Sequence, residues 1–168
     1  ERKRLHYRIE GTVQGVGFRP FIYHLARQNG LAGWVSNTSS GVELEVEGDG
    51  RALMEFDGRL ETEKPDHCFY SGLERLELPV EGESGFAIRN SVESGLGRAL
   101  VLPDLATCPA CLEEIFDTRN RRYRYPFTNC THCGPRYSIV EDIPYDRCNT
   151  TMRGFPLCPR CLAGYGDP

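Results

Sequence analysis

The sequence predicts an α+β domain followed by a smaller cysteine-rich region, and three observations support this prediction. Up to about residue 91, apolar and polar residues follow strand and helix periodicities in turn. Seven of the eight cysteines come after Ser91, most of them in closely spaced pairs. The 168 residues, 39% hydrophobic and 26% charged, suit one ordinary domain plus a smaller unit.

The change in cysteine content also predicts the domain boundaries. We expect a first domain over residues 1–91, a linker over 92–97 and a cysteine-rich region with little regular structure over 98–168. The chain starts at Glu1 and stops inside a cysteine pattern, so we interpret it as a piece of a longer protein. No apolar run approaches the roughly 18 residues of a membrane span, and the first residues do not resemble a signal peptide. We therefore expect a cytoplasmic location and no membrane partner.

The first domain is predicted to have the element order βαββαββ. The strands are predicted at Leu5–Val13, Leu31–Val35, Val42–Glu47, Cys68–Leu78 and Phe86–Arg89. Pro20 suits the first position of a helix that Gly30 ends, and Asp49 can cap a second helix. The apolar residues expected to face the core from these helices are Phe21, Ile22, Leu25, Ala26, Leu53, Phe56 and Leu60. Cys68, far from the other cysteines, is expected in the core.

A glycine-containing loop joins the first strand to the first helix. Its residues, the candidate phosphate-binding set, are Gln14, Gly15, Val16, Gly17, Phe18 and Arg19. Free N–H groups and the positive end of the helix dipole make such a loop an anion site. A cation there is unfavourable without a bound anion, so Arg19 favours a phosphate held by backbone and guanidinium together. From spacing alone, a glycine turn beside a surface arginine is about equally compatible.

The segment Gly11–Arg19 resembles the signature of the acylphosphatase family, and the resemblance extends through Asn37 to about Ser91. It implies a ferredoxin-like sandwich in which Arg19 and the loop amides bind the phosphoryl group. It also implies that Asn37 orients the attacking water, so that Arg19 and Asn37 are the catalytic residues. The reaction would be hydrolysis of an acyl phosphate, which needs charge stabilisation more than a strong base. His6 and His24 are left out, since a lone histidine is seldom catalytic.

Two CxxC pairs predict a metal site in the second region. Cys108 and Cys111 are followed, after eighteen residues, by Cys130 and Cys133. Two such pairs supply the four thiolates of a tetrahedral zinc site, and in a reducing compartment zinc is favoured over disulfides. His132 lies inside the second pair but is redundant if all four thiolates bind.

A third pair, Cys158 and Cys161, is also a candidate for metal binding. Two thiolates do not meet the preference of zinc for four ligands, so a partner motif is expected outside this chain. Cys148 could complete the set, but it stands alone, and we favour a buried cysteine that binds no metal.

Basic and aromatic residues alternate in Arg119–Tyr125, between the first two pairs. Single-stranded nucleic acids are bound by such patterns. The simpler interpretation is that arginines offset the charge of four thiolates around zinc. Because this half of the chain lacks a strongly basic balance, we do not expect nucleic acid to be a partner.

Several motifs resemble the HypF family, which acts in the maturation of nickel-iron hydrogenase. They include Leu102–Asp104, Tyr125–Cys130, Cys133–Ile139 and Pro144–Arg147. The resemblance implies a longer carbamoyltransferase that uses carbamoyl phosphate and ATP and carbamoylates the C-terminal cysteine of a HypE-type maturation protein. This chain would supply the acylphosphatase step and the zinc region. The alternative is a non-catalytic docking domain joined to a zinc ribbon that binds nucleic acid or protein.

If the first domain has its own core and no metal ligands, it should fold without zinc. We expect its phosphatase activity to be equally independent of the metal.

Overall fold

The computed structural model describes residues 1–92, 99–134 and 136–166. The first domain consists of β1 (Arg2–Thr12), α1 (Phe18–Gln28), β2 (Ala32–Asn37), β3 (Gly41–Asp49), α2 (Gly50–Thr62), β4 (Phe69–Leu78) and β5 (Phe86–Ile88). The predicted order of elements is therefore confirmed. Of the predicted linker, residues 93–97 lie outside the described residues. Val92, its first residue, forms a bridge with Thr38 at the end of β2.

The five strands form one sheet in the order β4-β1-β3-β2-β5. All neighbouring pairs are antiparallel except β2 and β5. The register of β1 against β3 places Tyr7 opposite Leu44 and Ile9 opposite Val42. Because side chains alternate between faces, these residues lie on one face, where α1 and α2 cover them in a single core. The α+β class is confirmed.

The ends of the helices differ in part from the prediction. Helix α1 begins at Phe18, with Gly17 as its N-cap, so Pro20 is not its first residue. It starts earlier because Phe18 is 1% exposed and anchors the first turn in the core. Asp49 caps α2 as predicted, its carboxylate accepting the N–H of Arg51 at 2.9 Å. Cys68 is buried as predicted, and burial raises the pKa of its thiol to about 12.

The second region has little regular structure, as predicted. Two helices, α3 (Pro109–Phe116) and α4 (Pro159–Gly166), are accompanied by 3-10 turns at Tyr137–Ile139, Arg147–Asn149 and Thr151–Gly154. A separate small cluster of buried cysteines stands in for an apolar core. Among the described residues, no helix combines the length and the apolar character needed to cross a bilayer.

Candidate active site and metal centre

The loop between β1 and α1 has the backbone geometry of an anion-binding site. Gly15 and Gly17 adopt φ values of 73° and 79°, which only glycine takes up without strain. In the described part of the chain, no hydrogen bond engages the N–H groups of Gly15, Val16 and Gly17. These groups precede the positive end of α1, where an anion is stabilised.

Arg19 lies in the first turn of α1 and is held by residues distant in the sequence. Its Nη2 donates to Oδ1 of Asp146 at 2.8 Å and to the carbonyl of Tyr145 at 3.4 Å. Its Nη1 lies 3.5 Å from the hydroxyl of Ser91, which itself donates to the second oxygen of Asp146. A closed ring of polar contacts thus joins the arginine to the region that follows the first domain.

Asn37 is the last residue of β2 and is 1% exposed. Its Nδ2 donates to the carbonyl of Tyr145 at 3.3 Å. Its Oδ1 is buried and has no hydrogen-bond partner among the described residues. An amide held in this way presents an acceptor that a water molecule could satisfy.

Gln14, also 1% exposed, has a different role from the other loop residues. Its Nε2 donates to the carbonyls of Thr38 and Gly41 at 2.6 and 2.8 Å. Its Oε1 accepts the N–H of Tyr145 at 2.7 Å. With both polar groups of its side chain engaged, it ties the loop to the β2–β3 turn and to residue 145.

The second region forms a wall of the site. A cavity of about 780 Å³ is lined by both regions, including Gly15, Arg19 and Asn37 on one side and Thr131 and Tyr145 on the other. A Cβ atom added at Gly17 would lie 3.0 Å from Cβ of Thr131. The loop therefore lies at the junction of the two regions.

Four of the six predicted metal ligands come together. The sulfur atoms of Cys108, Cys111, Cys130 and Cys133 all lie within 4.8 Å of one another. Neighbouring sulfurs are 3.6 to 3.9 Å apart. Zn–S bonds of about 2.3 Å in a tetrahedron require sulfurs about 3.8 Å apart, so this set fits zinc.

The electrostatics of the cluster favour at least one thiolate. Burial raises the pKa of Cys111. At Cys133 burial opposes ionisation, but the N–H groups of Cys130 and Cys108 and the guanidinium of Arg136 outweigh it and lower the pKa to about 6. Nη2 of Arg136 lies 3.6 Å from that sulfur. A positive group thus already offsets part of the charge that a metal would neutralise.

The third pair lies apart from this cluster. Cys158 is exposed, and Cys161 is contacted by Nη1 of Arg121 at 3.5 Å. The described residues offer these two cysteines no third metal ligand. Cys148 is outside the ligand set but is exposed, so the predicted burial is wrong; it lies in a 3-10 turn without a core around it. His132 is exposed and stands beside His67.

The stretch Arg119–Tyr125 does not screen the four-cysteine cluster in the way that its composition indicated. Arg122 pairs with Glu114, and Arg121 reaches Cys161 instead. The arginine at the cluster is Arg136, which the sequence analysis did not single out.

Three residues that contact Arg19 at the candidate site were also missed: Ser91, Tyr145 and Asp146. The motif Pro144–Arg147 was noted only as a resemblance. An acidic residue inside it was a signal, but spacing along the chain could not show that it meets Arg19, 127 residues away.

Comparison with known proteins agrees with this arrangement. The chain matches the Acylphosphatase family over residues 5–88 and the HypF finger over residues 107–140. It is 40% identical over 90 residues to an acylphosphatase of Synechococcus sp., covering 98% of that protein and 52% of this chain. It is 49% identical over 153 residues to the carbamoyltransferase HypF of Synechocystis sp., covering 91% of this chain and 20% of that protein.

A solved structure supports the same assignment. Full-length HypF in a phosphate- and nucleotide-bound form superposes with a TM-score of 0.93 at 43% identity, over 100% of this chain and 22% of that one. The matches define an acylphosphatase-type domain joined to a cysteine finger. The chain belongs to the HypF family. It spans about a fifth of the length of the HypF relatives described above.

Proposed function

We propose that the chain hydrolyses acyl phosphates, with Arg19 and Asn37 as catalytic residues. One observation carries the proposal: donors from α1 and from the end of β2 converge on a single acceptor oxygen beside the glycine loop. That oxygen is the carbonyl of Tyr145, 3.4 Å from Nη2 of Arg19 and 3.3 Å from Nδ2 of Asn37. A phosphoryl oxygen beside Arg19 and a water oxygen beside Asn37 are acceptors of the same kind.

In the proposed reaction, the N–H groups of the loop and the guanidinium of Arg19 hold the phosphoryl oxygens and stabilise the charge that develops on them. Water donates a hydrogen bond to Oδ1 of Asn37, and its oxygen attacks phosphorus in line. The bond from phosphorus to the acyl oxygen breaks, and the carboxylate leaves with the bonding electrons. The attacking water loses one proton to solvent. A carboxylate or carbamate is a good leaving group, so no strong base is needed.

For the longer protein, we propose carbamoyl phosphate as the substrate, with carbamate and phosphate as the products of this domain. Use of ATP and transfer to the C-terminal cysteine of a HypE-type protein would belong to parts beyond this chain. The relatives named carbamoyltransferase HypF support this proposal. We also propose zinc at the four cysteines, which implies the reducing environment of the cytoplasm.

The test is release of phosphate from acetyl phosphate and carbamoyl phosphate. Arg19→Ala should lower kcat/KM by at least about 100-fold, the usual loss on removing a charge-stabilising donor. Arg27→Ala is the matched control, because Arg27 lies on the same helix and its guanidinium contacts only Tyr23 among the described residues. If Arg19→Ala is as active as the unmutated chain, the catalytic role assigned to Arg19 is wrong. No activity in the unmutated chain would favour a docking domain.

A further inference from the structure

The segment Pro144–Asp146, here called the strap, occupies the groups that the proposed reaction needs for its substrate. Both terminal nitrogens of Arg19 are engaged: Nη2 by Asp146 and the carbonyl of Tyr145, and Nη1 by Ser91. The side chains of Arg19 and Asp146 are only 22% and 19% exposed, so solvent screens this ion pair incompletely. The strap therefore supplies an anion to a site built for anions.

We propose that Asp146 is an internal competitor of the phosphoryl group for Arg19 and thereby sets the affinity of the site for phosphate. The proposal rests on the proposed function. A phosphoryl group bound in bidentate fashion needs two N–H donors of the guanidinium, and Asp146 already makes the shortest hydrogen bond of Arg19, at 2.8 Å. Binding therefore requires that the carboxylate yields its hydrogen bond or tolerates a second anion beside it.

The opposite role, in which Asp146 positions Arg19 for catalysis, is less consistent with the comparisons. The acylphosphatase of Synechococcus sp. aligns over 98% of its length with about half of this chain. That half is the first domain, since the Acylphosphatase family matches residues 5–88. A protein of that size has no counterpart of the strap, so an acylphosphatase site does not require this carboxylate.

The geometry of the site shows how the competitor is held. Ser91 donates to the second oxygen of Asp146, while Gln14 accepts the N–H of Tyr145 at 2.7 Å. Ser91 and Gln14 thus each hold one residue of the strap. Because linkage is reciprocal, a phosphate that weakens the contact of Asp146 with Arg19 also weakens the docking of the second region on the first.

The experiment measures binding of inorganic phosphate to the whole chain by calorimetry. Asp146→Asn preserves the shape of the side chain but removes its charge, and it should lower the Kd for phosphate by at least about 5-fold, the lower end of typical couplings. The KM for acetyl phosphate should fall in parallel. Asp142→Asn is the control, because it removes the same charge from a nearby exposed position whose side chain hydrogen-bonds only the N–H of Ile143 among the described residues. The control should leave the Kd unchanged.

Two results would overturn the proposal: an unchanged Kd, or weaker phosphate binding with a lower kcat, which would make Asp146 a positioning residue. If Asp146→Asn fails to fold, Ser91→Ala serves instead. It frees the carboxylate from its anchor and should also tighten phosphate binding, whereas an unchanged or raised Kd would contradict the proposal. Tighter phosphate binding without any hydrolysis would support the role of Asp146 as a competitor of phosphate and would refute only the proposed reaction.

Discussion

Oε1 of Gln14 accepts a hydrogen bond from the main-chain N–H of Tyr145 at 2.7 Å, although the two residues are 131 positions apart. The same side chain donates to the carbonyls of Thr38 and Gly41. One buried amide thus joins the end of β1, the β2–β3 turn and the strap. The glycine loop and the second region are therefore parts of one polar network.

Replacement of Gln14 by alanine is expected to destabilise the first domain. The change leaves the N–H of Tyr145 without its acceptor and removes one hydrogen bond from each of the carbonyls of Thr38 and Gly41, so the free energy of unfolding should fall by about 1–3 kcal/mol. The fluorescence of Trp34, the single tryptophan, can follow urea unfolding of this domain. Gln28→Ala, at an exposed position on α1 where the side chain accepts only a solvent-exposed hydrogen bond from Arg59, should change the free energy by less than about 0.5 kcal/mol. Equal stability of the two variants would show that the network contributes little.

Replacement of Asn37 by alanine should affect turnover more than substrate binding. The buried Oδ1 is proposed to orient the attacking water, and misplacement of a reactant by about 1 Å can cost about 100-fold in rate. We expect kcat to fall by about that factor while KM changes little. Asn29→Ala is the control, since Asn29 caps the far end of α1. A large rise in KM with kcat unchanged would assign Asn37 to substrate binding instead.

The lowered pKa of Glu47 predicts that the stability of the first domain depends on pH. Burial opposes its ionisation, but the N–H groups of Glu81 and Gly82 and the guanidinium of Arg2 outweigh burial and hold its pKa below the ordinary 4.5. A lowered pKa in the folded state means that the stabilisation is complete above about pH 4.5 and is lost as the pH falls through the lowered value.

The measurement is the difference in Tm between the unmutated chain and Glu47→Gln. It should be constant from pH 7 to about 5 and shrink on further acidification. Glu55→Gln, at an exposed position on α2, should show little difference at any pH. A difference that grows as the pH falls would have the wrong sign for a lowered pKa.

The sequence sufficed for the elements of the first domain because local patterns encode them. Alternation placed β1 and β3, and the apolar periodicity placed Leu53, Phe56 and Leu60 of α2 in the core, where they are 0–2% exposed. The start of α1 was misplaced because Pro20 is a strong local signal, whereas burial of Phe18 depends on the tertiary fold.

The candidate site was only partly predictable for a related reason. A loop that can bind anions and a pair of CxxC motifs are each encoded by residues close together in the sequence, so their spacing indicated them. The contact of Arg19 with Asp146 joins two regions that meet only after both have folded, and no periodicity encodes it. The same holds for Arg136 beside Cys133. Long-range polar contacts at a junction are therefore what the sequence analysis lacked.

Metal content provides a direct test of the cysteine assignments. We expect about one zinc per chain, because four sulfurs lie within 4.8 Å of one another while Cys158 and Cys161 lack further ligands among the described residues. Cys130→Ser should abolish tight binding and Cys158→Ser should preserve it, as measured by elemental analysis after dialysis. Two tightly held zinc ions would contradict the assignment, and equal loss in both variants would indicate that the pairs combine differently.

Removal of the metal should leave the first domain folded but loosen one wall of its candidate site. The core of β1, β3 and the two helices contains none of the proposed ligands, so its amides should stay protected from hydrogen exchange. Cys130 and Cys133 flank Thr131, which lies against Gly17, and the strap follows them in the chain. Loss of zinc should therefore loosen the wall of the cavity. Hydrogen exchange of the Tyr145 N–H, which donates to Oε1 of Gln14, should become faster.

This outcome would modify the expectation from the sequence that zinc is irrelevant to phosphatase activity, because Arg19 and Asn37 both contact the strap. Hydrogen-exchange rates of individual amides, measured by NMR before and after chelation, test this expectation. The amide of Leu44 in β3 is the internal reference. Cys130→Ser without chelator should reproduce the effect, and Cys158→Ser should not. If Leu44 and Tyr145 lose protection together, the first domain depends on the metal for its fold; if neither changes, the strap is held without zinc. Selective loss at Tyr145 is the result expected if the metal orders the phosphate site through the strap alone.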